Sequence, residues 1–266
     1  MKTWKVFSIV GNVFLGVDVG STYCKSAVLS IDKQLLGYHL VRTGTDFEQA
    51  AQAATRAALN MAGCSMNDVL RCVSTGYGRD NVSFSNNTVS EISCHSKAVF
   101  EKYRSAVTIV DIGGQDNKVI VLDANGKRVN FVMNRKCAAG TGAFVEDMAQ
   151  RLGIMVDDMD KYARAADKVI ELGSFCTVFA GTELLGYIRN GASVNNLVKG
   201  VFYSILKRVT AMAKLEGKVV LTGGVVANNP YLVDMLRELG NCEVLLPSYP
   251  QLFGAIGAAL YAQSLK

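Results

Sequence analysis

Two short stretches of this sequence carry an acid, a glycine and a lysine at matching spacing. Asp18-Val19-Gly20-Ser21-Thr22 is followed by Lys25; ninety-three residues later Asp111-Ile112-Gly113-Gly114-Gln115 is followed by Lys118. Glycine in a tight strand-to-strand turn lets the backbone approach a phosphate closely, and successive N–H groups there form an anion-binding nest. Ser21 and Thr22 add hydroxyl donors, and Lys25 adds a positive charge. Asp18 and Asp111 could flank a Mg²⁺ ion through water, since that ion takes few carboxylates and keeps much of its hydration. Either turn alone is also well described as a glycine hairpin with a capping aspartate. Two of them, with Gly223-Gly224 after a third apolar run, point to nucleotide phosphates.

The elements that must position these turns are themselves duplicated. Residues 18–29 and 111–122 share five identities in twelve. Each copy reads as strand, turn, strand, with a third strand at Leu35–Val41 in the first and Arg128–Met133 in the second. Asp46 or Thr45 caps a helix to Met61, with Gly63 as its stop. Ser193 caps a longer helix whose apolar residues, from Val194 to Met212, recur with a period near 3.6. Gly217 is expected to end it, the strand Lys218–Leu221 follows, and Asn229-Pro230 starts a short helix. Meanders followed by helix–strand units predict an α/β protein of two related lobes, 1–104 and 105–266, with an active site in the cleft between them. The last helix, about 252–266, is expected to pack back on the first lobe.

Composition narrows the function classes. Of the 266 residues 50% are apolar, which supports a sizeable core and excludes a disordered or fibrous chain. A net charge of +5 without a Lys/Arg run leaves no nucleic-acid footprint. The seven cysteines form no CxxC pair, and no export signal accompanies them, so the expectation is a reducing cytoplasm rather than a disulfide framework. The apolar stretch from Val6 to Val17 is interrupted by Gly11 and Asn12 and is too short to cross a bilayer, so no membrane partner is expected. Cys94 beside His95 reads as structural, because adjacent residues on a regular element point in different directions.

The motifs GVDVGST, DIGGQD and LTGGVVAN resemble the phosphate-1, phosphate-2 and adenosine motifs of the actin, Hsp70 and sugar-kinase superfamily. That resemblance implies two ribonuclease-H-like lobes, with Gly223, Gly224 and Asn228 near the adenosine and Gln251 and Gly254 close behind. A narrower resemblance runs from Val13 onward. GYGR (76–79), EISCH (91–95), NRKCAAGTGAF (134–144), FCTVFAGTE (175–183) and PQLFGAIGAALYA (250–262) are similar to the activators of 2-hydroxyacyl-CoA dehydratases and to the related ATPase subunits of benzoyl-CoA reductase, the BadF/BadG/BcrA/BcrD-type ATPases. It implies a homodimer with one [4Fe–4S] cluster held by Cys137 and Cys176 of each subunit, and ATP-driven transfer of one electron to a dehydratase or other CoA-thioester reductase. The donor would be a ferredoxin or flavodoxin. Gly140-Thr141-Gly142 would join the nucleotide site to a cluster ligand, and Asp18, Asp111 and Gln115 would serve catalysis. Two departures stand out: Gly181 where the family pattern has an acid, and Arg135 in NRKC where it has an aspartate. The first twelve residues have no counterpart in the pattern. The competing readings are a small-molecule kinase of the same fold and a non-catalytic ATP-binding regulator, neither of which needs the CAAGTG and FCTVFA pair.

Overall fold

In the computed structural model, which describes residues 11–134, 137–173, 176–240 and 242–265, the run Val13–Val19 is strand β1, with Val13, Leu15, Val17 and Val19 fully buried. A strand covered on both faces loses polar alternation, which is why this stretch reads as apolar almost throughout. The chain then turns at Gly20, whose N–H donates to the Tyr23 carbonyl at 3.1 Å. Strand β2 (Tyr23–Leu29) returns antiparallel, followed by antiparallel β3 (Leu35–Arg42). Helix α1 (Phe47–Ala62) opens on Asp46, whose carboxylate accepts from the Gln49 N–H at 2.9 Å, and closes on Gly63. It carries the chain across to β4 (Val69–Thr75), parallel to β1, and β5 (Asn87–Thr88) completes the sheet order β3-β2-β1-β4-β5. Helix α2 (Glu91–Tyr103) follows.

The second sheet repeats the first. Strands β6 (Val107–Ile112), β7 (Asn117–Leu122) and β8 (Arg128–Asn134) form the meander. Helices α3 (Gly142–Leu152), α4 (Met159–Arg164), α5 (Thr177–Arg189) and α6 (Val194–Met212) then lead to β9 (Gly217–Thr222). After α7 (Gly224–Asn228) and α8 (Tyr231–Leu239), strand β10 (Cys242–Leu245) ends a sheet whose order, β8-β7-β6-β9-β10, matches the first strand for strand. The register matches as well. Asp18 lies opposite Lys25 on one side and Thr75 on the other; Asp111 lies opposite Lys118 and Thr222. The duplication therefore extends from twelve residues to whole sheets, in the ribonuclease-H-like α/β pattern.

The chain divides into two compact units, one of residues up to Lys102 together with those from Leu252, the other Tyr103–Gln251. Helix α9 (Phe253–Ser264) belongs to the first and packs on β1, β2 and β4. In the second unit the apolar stripe of α6, including Leu197, Val201, Phe202, Ile205 and Val209, is fully buried against Phe144 and Met148. Burying such side chains contributes about 1.5–3 kcal/mol each. The end of α6 differs from the sequence reading. The helix stops at Ala213, and Gly217, at φ +62°, opens β9 instead of closing the helix. A positive φ serves there to turn the connecting loop into a buried parallel strand. Ser193 occupies the cap position of α6 without a side-chain hydrogen bond. No helix among the described residues is long and apolar enough to cross a membrane.

Candidate functional site

Each unit builds the same acidic cradle at the end of its first strand. In the first, Lys25 Nζ donates to Asp18 Oδ2 at 3.0 Å. In the second, Lys118 Nζ donates to Asp111 Oδ2 at 3.2 Å and to Asp116 Oδ1 at 2.7 Å, while Thr222 Oγ1 donates to Asp111 Oδ1 at 3.0 Å. Both aspartates are buried, and each is paired with a lysine ammonium. Cross-strand pairing thus commits the Lys25 charge first to Asp18, where the sequence reading aimed it at a phosphate. Lys118, Asp116, Gly76 and Thr222 are members of the cradle that the sequence reading did not assign, and Gly223, read there as an adenosine residue, also lies against Asp111; Thr75 lies opposite Asp18 in register, with no hydrogen-bond partner for its Oγ1. Gly76 and Gly223 lie at φ +90° and +100°; a side chain at either would strike the backbone oxygen after the aspartate (Val19 or Ile112) and the carboxylate itself. Two buried carboxylates at matching strand ends are a donor set that suits Mg²⁺ held through water.

The turn at 113–116 is stitched to the CAAGTG segment. The Gly142 and Ala143 N–H groups donate to the Gly113 and Gly114 carbonyls at 2.9 and 2.8 Å. Asn117 Nδ2 donates to the Gly140 carbonyl at 2.9 Å, and Asn134 Nδ2 to the Cys137 carbonyl at 3.2 Å. These bonds spend the first N–H groups of α3 on protein carbonyls, and Gly140 and Thr141 are buried. Cys137 and Cys176 are both exposed, and Cys176 is the residue that caps α5. Burial pulls the Arg208 guanidinium below its ordinary value, while charge on Cys137 and on Cys176 pulls it back up. No group of three or more His, Cys, Asp or Glu side chains suited to a metal occurs among the described residues. Two exposed cysteines are the donor type of a thiolate-ligated cluster and supply two of the four thiolates that a [4Fe–4S] centre takes.

Of the remaining sequence-derived positions, Ser21 and Thr22 are half-buried at the first turn and Gln115 is exposed at the second. Gly224 opens α7, and Asn228 ends it exposed. Gln251 is half-buried, whereas Gly254 lies against Asp18, where an added Cβ would come within 2.7 Å of Oδ2. Arg135 lies outside the described residues. Gly181 has the Arg151 guanidinium over it, at 2.6 Å from where a Cβ would stand, and Arg151 Nε also donates to Asp147 at 2.9 Å. The obstacle is the tip of a flexible side chain. Gly181→Ala is therefore expected to stabilise α5 by up to about 1 kcal/mol of helix propensity, less about 0.5 kcal/mol for disturbing a half-buried i,i+4 pair, giving a small rise in the melting temperature.

Burial pushes the thiols of Cys24, Cys72 and Cys94 up to about 12, with the charge of Asp18 adding to the effect at Cys24. His95, beside Cys94, is buried too. A thiol with so high a value is a poor nucleophile. Alkylation of the iron-free folded chain at pH 8, read by mass spectrometry, is expected to mark Cys137 and Cys176 and to spare these three until the chain is denatured. Early labelling of Cys94 would contradict its structural role.

Comparison with known proteins adds the following. The model of the BadF/BadG/BcrA/BcrD ATPase family matches residues 15–262. An activator of lactoyl-CoA dehydratase from Anaerotignum propionicum is 41% identical over 251 residues, covering 93% of this chain and 96% of that one. The solved activator of the 2-hydroxyisocaproyl-CoA dehydratase from Clostridium difficile, with bound ADPNP, superposes with a TM-score of 0.89 at 36% identity, covering 95% and 94% of the two chains. A ROK-family glucokinase from Streptomyces griseus shares the fold alone, with a TM-score of 0.58 at 14% identity over 96% and 100% of the chains.

Proposed function

Because this chain belongs to the BadF/BadG/BcrA/BcrD ATPase family, we propose that it is an ATP-hydrolysing activator that passes single electrons to a 2-hydroxyacyl-CoA dehydratase or a related CoA-thioester reductase. One observation carries this reading: of the seven cysteines Cys137 and Cys176 alone are exposed, and the segment bearing Cys137 is hydrogen-bonded to the 113–116 turn. A kinase or a passive regulator needs neither feature.

The residues divide the work. The backbone N–H groups of Gly20, Ser21 and Thr22 in one unit, and of Gly113, Gly114 and Gln115 in the other, would take phosphate oxygens. Asp18 and Asp111 would orient hydrated Mg²⁺, which when bound neutralises phosphate charge. Gln115, exposed at its turn, would position the attacking water, so that catalysis rests on placement and electrostatics. Gly223, Gly224 and Asn228 would adjoin the adenosine, with Gln251 and Gly254 behind them. Cys137 and Cys176 would present two thiolates, and Arg208 would offset part of their charge. A [4Fe–4S] cluster held there supplies a one-electron carrier.

Completion by a second copy is supported by helix α5, which begins beside Cys176 and exposes Val178, Phe179, Leu185 and Ile188. Contiguous exposed apolar side chains mark interaction surfaces. The donor would be a ferredoxin or flavodoxin.

The test is anaerobic: the reduced protein is mixed with a purified 2-hydroxyacyl-CoA dehydratase, its substrate and either ATP or a non-hydrolysable analogue. Dehydration that starts only with ATP supports the proposal. ATP consumption that instead phosphorylates an added hydroxyl or carboxyl compound, with no dehydratase response, would establish the kinase reading.

A further inference from the structure

Asn117 follows the 113–116 turn and opens β7; it is buried, and across the antiparallel pair it faces Asn134, the last residue of β8. Neither belongs to the phosphate or cysteine sets inferred from the sequence. Yet each donates its amide to the segment bearing Cys137, Asn134 at the Cys137 carbonyl and Asn117 at the Gly140 carbonyl. The same segment hangs at its far end from the turn itself, through Gly142 and Ala143 on the Gly113 and Gly114 carbonyls. Asn117 Oδ1 has no hydrogen-bond partner although it is buried. A buried unsatisfied acceptor is a cost that a second arrangement of the loop can relieve, which is the property wanted in an element with two states.

We propose that Asn117 and Asn134 are positioning residues, a clasp that fixes Cys137 according to what the 113–116 turn holds. The inference rests on the reading that this turn takes nucleotide phosphate. A phosphate drawing on the N–H groups of the turn reorients its peptide planes, and with them the Gly113 and Gly114 carbonyls that carry the start of α3. The asparagines sit on the paired strands, which do not follow. The difference in motion falls on residues 137–142, where Gly140, at φ +83°, supplies the pivot.

Hydrogen exchange read by mass spectrometry on the full chain tests this whether or not iron is bound. Nucleotide affinity and melting temperature are measured alongside. In the wild type, amides of residues 138–143 are expected to exchange about fivefold differently with ADP and with a non-hydrolysable ATP analogue, the scale of one hydrogen bond. In Asn117→Ala that difference should fall below about twofold while nucleotide affinity stays within about threefold, since the turn's own N–H groups are untouched. Asn117→Ser, whose hydroxyl can still donate, should recover part of it, and serves in place of alanine if that variant does not fold. Asn134→Ala should raise exchange near Cys137 with either nucleotide. A wild type that binds both nucleotides but shows no difference overturns the clasp and spares the phosphate site. So does a difference that survives in Asn117→Ala and Asn134→Ala alike. A chain that binds no nucleotide overturns both.

Discussion

Replacing Cys137 or Cys176 with serine is expected to empty the protein of iron while leaving nucleotide binding intact. The anaerobically prepared wild type should carry about four iron and four acid-labile sulfide per dimer. Each chain offers only two exposed cysteines, and no larger group of metal ligands exists among the described residues. A single substitution therefore removes two of four thiolates from the dimer, and the remaining pair is too few to hold the cluster. Iron should fall close to zero, and ATP-dependent activation with it. Nucleotide affinity should stay within about threefold, under 1 kcal/mol, because neither thiol belongs to the phosphate cradles. Cys242→Ser, at a half-buried position on β10, is the control and should keep full iron. Full iron in both Cys137→Ser and Cys176→Ser would refute the shared site outright.

The second large effect is expected at Lys118. It is 4% exposed, carries Asp111 and Asp116 together, and Asp111 is 6% exposed at its side chain. Lys118→Met leaves two carboxylates without their cation, one of them dry. Breaking a buried pair from one side costs about 3–5 kcal/mol, which for a unit of this size lowers its melting temperature by about 6–20 °C. Lys25→Met is the internal comparison, since the duplicated geometry places it identically against Asp18. That pair is wetter, with 17% of the lysine exposed and a single carboxylate involved, so the loss should be the smaller of the two. Calorimetry on both variants decides the matter. If Lys25→Met proves the more damaging, burial is not what sets the energy of these pairs.

The fold is legible in the sequence wherever local spacing carries the information. The two Asp-x-Gly turns sit at equal distances from their lysines, and hairpin geometry allows nothing but a meander around each. The third member of the cradle escapes such a reading because its spacing is unequal. Thr75 follows Asp18 by 57 residues and Thr222 follows Asp111 by 111, since the second copy carries α3 to α6 between its meander and β9. The commitment of both lysines to aspartates depends on strand register, which a seven-residue spacing suggests but does not fix. Cys137 and Cys176 are singled out only through family resemblance: nothing in a 39-residue separation points to a common role, and the structure adds that both are exposed. Asn117 is hidden differently, since an asparagine beside a glycine turn reads as turn chemistry until its amide is seen on Gly140.

The return of α9 to the first unit has a bearing on synthesis. As the chain leaves a ribosome, the residues up to Lys102 emerge early but lack the helix that covers β1 and β4 and sets Gly254 against Asp18. Tyr103–Gln251 can close on itself as soon as it has emerged. The first unit, most of which is made before the second, is therefore completed after it, and its apolar strand surface waits through about 150 residues of translation. In a nascent chain of this layout, the strand that carries Asp18 stays uncovered on its α9 face until the last of these elements is made.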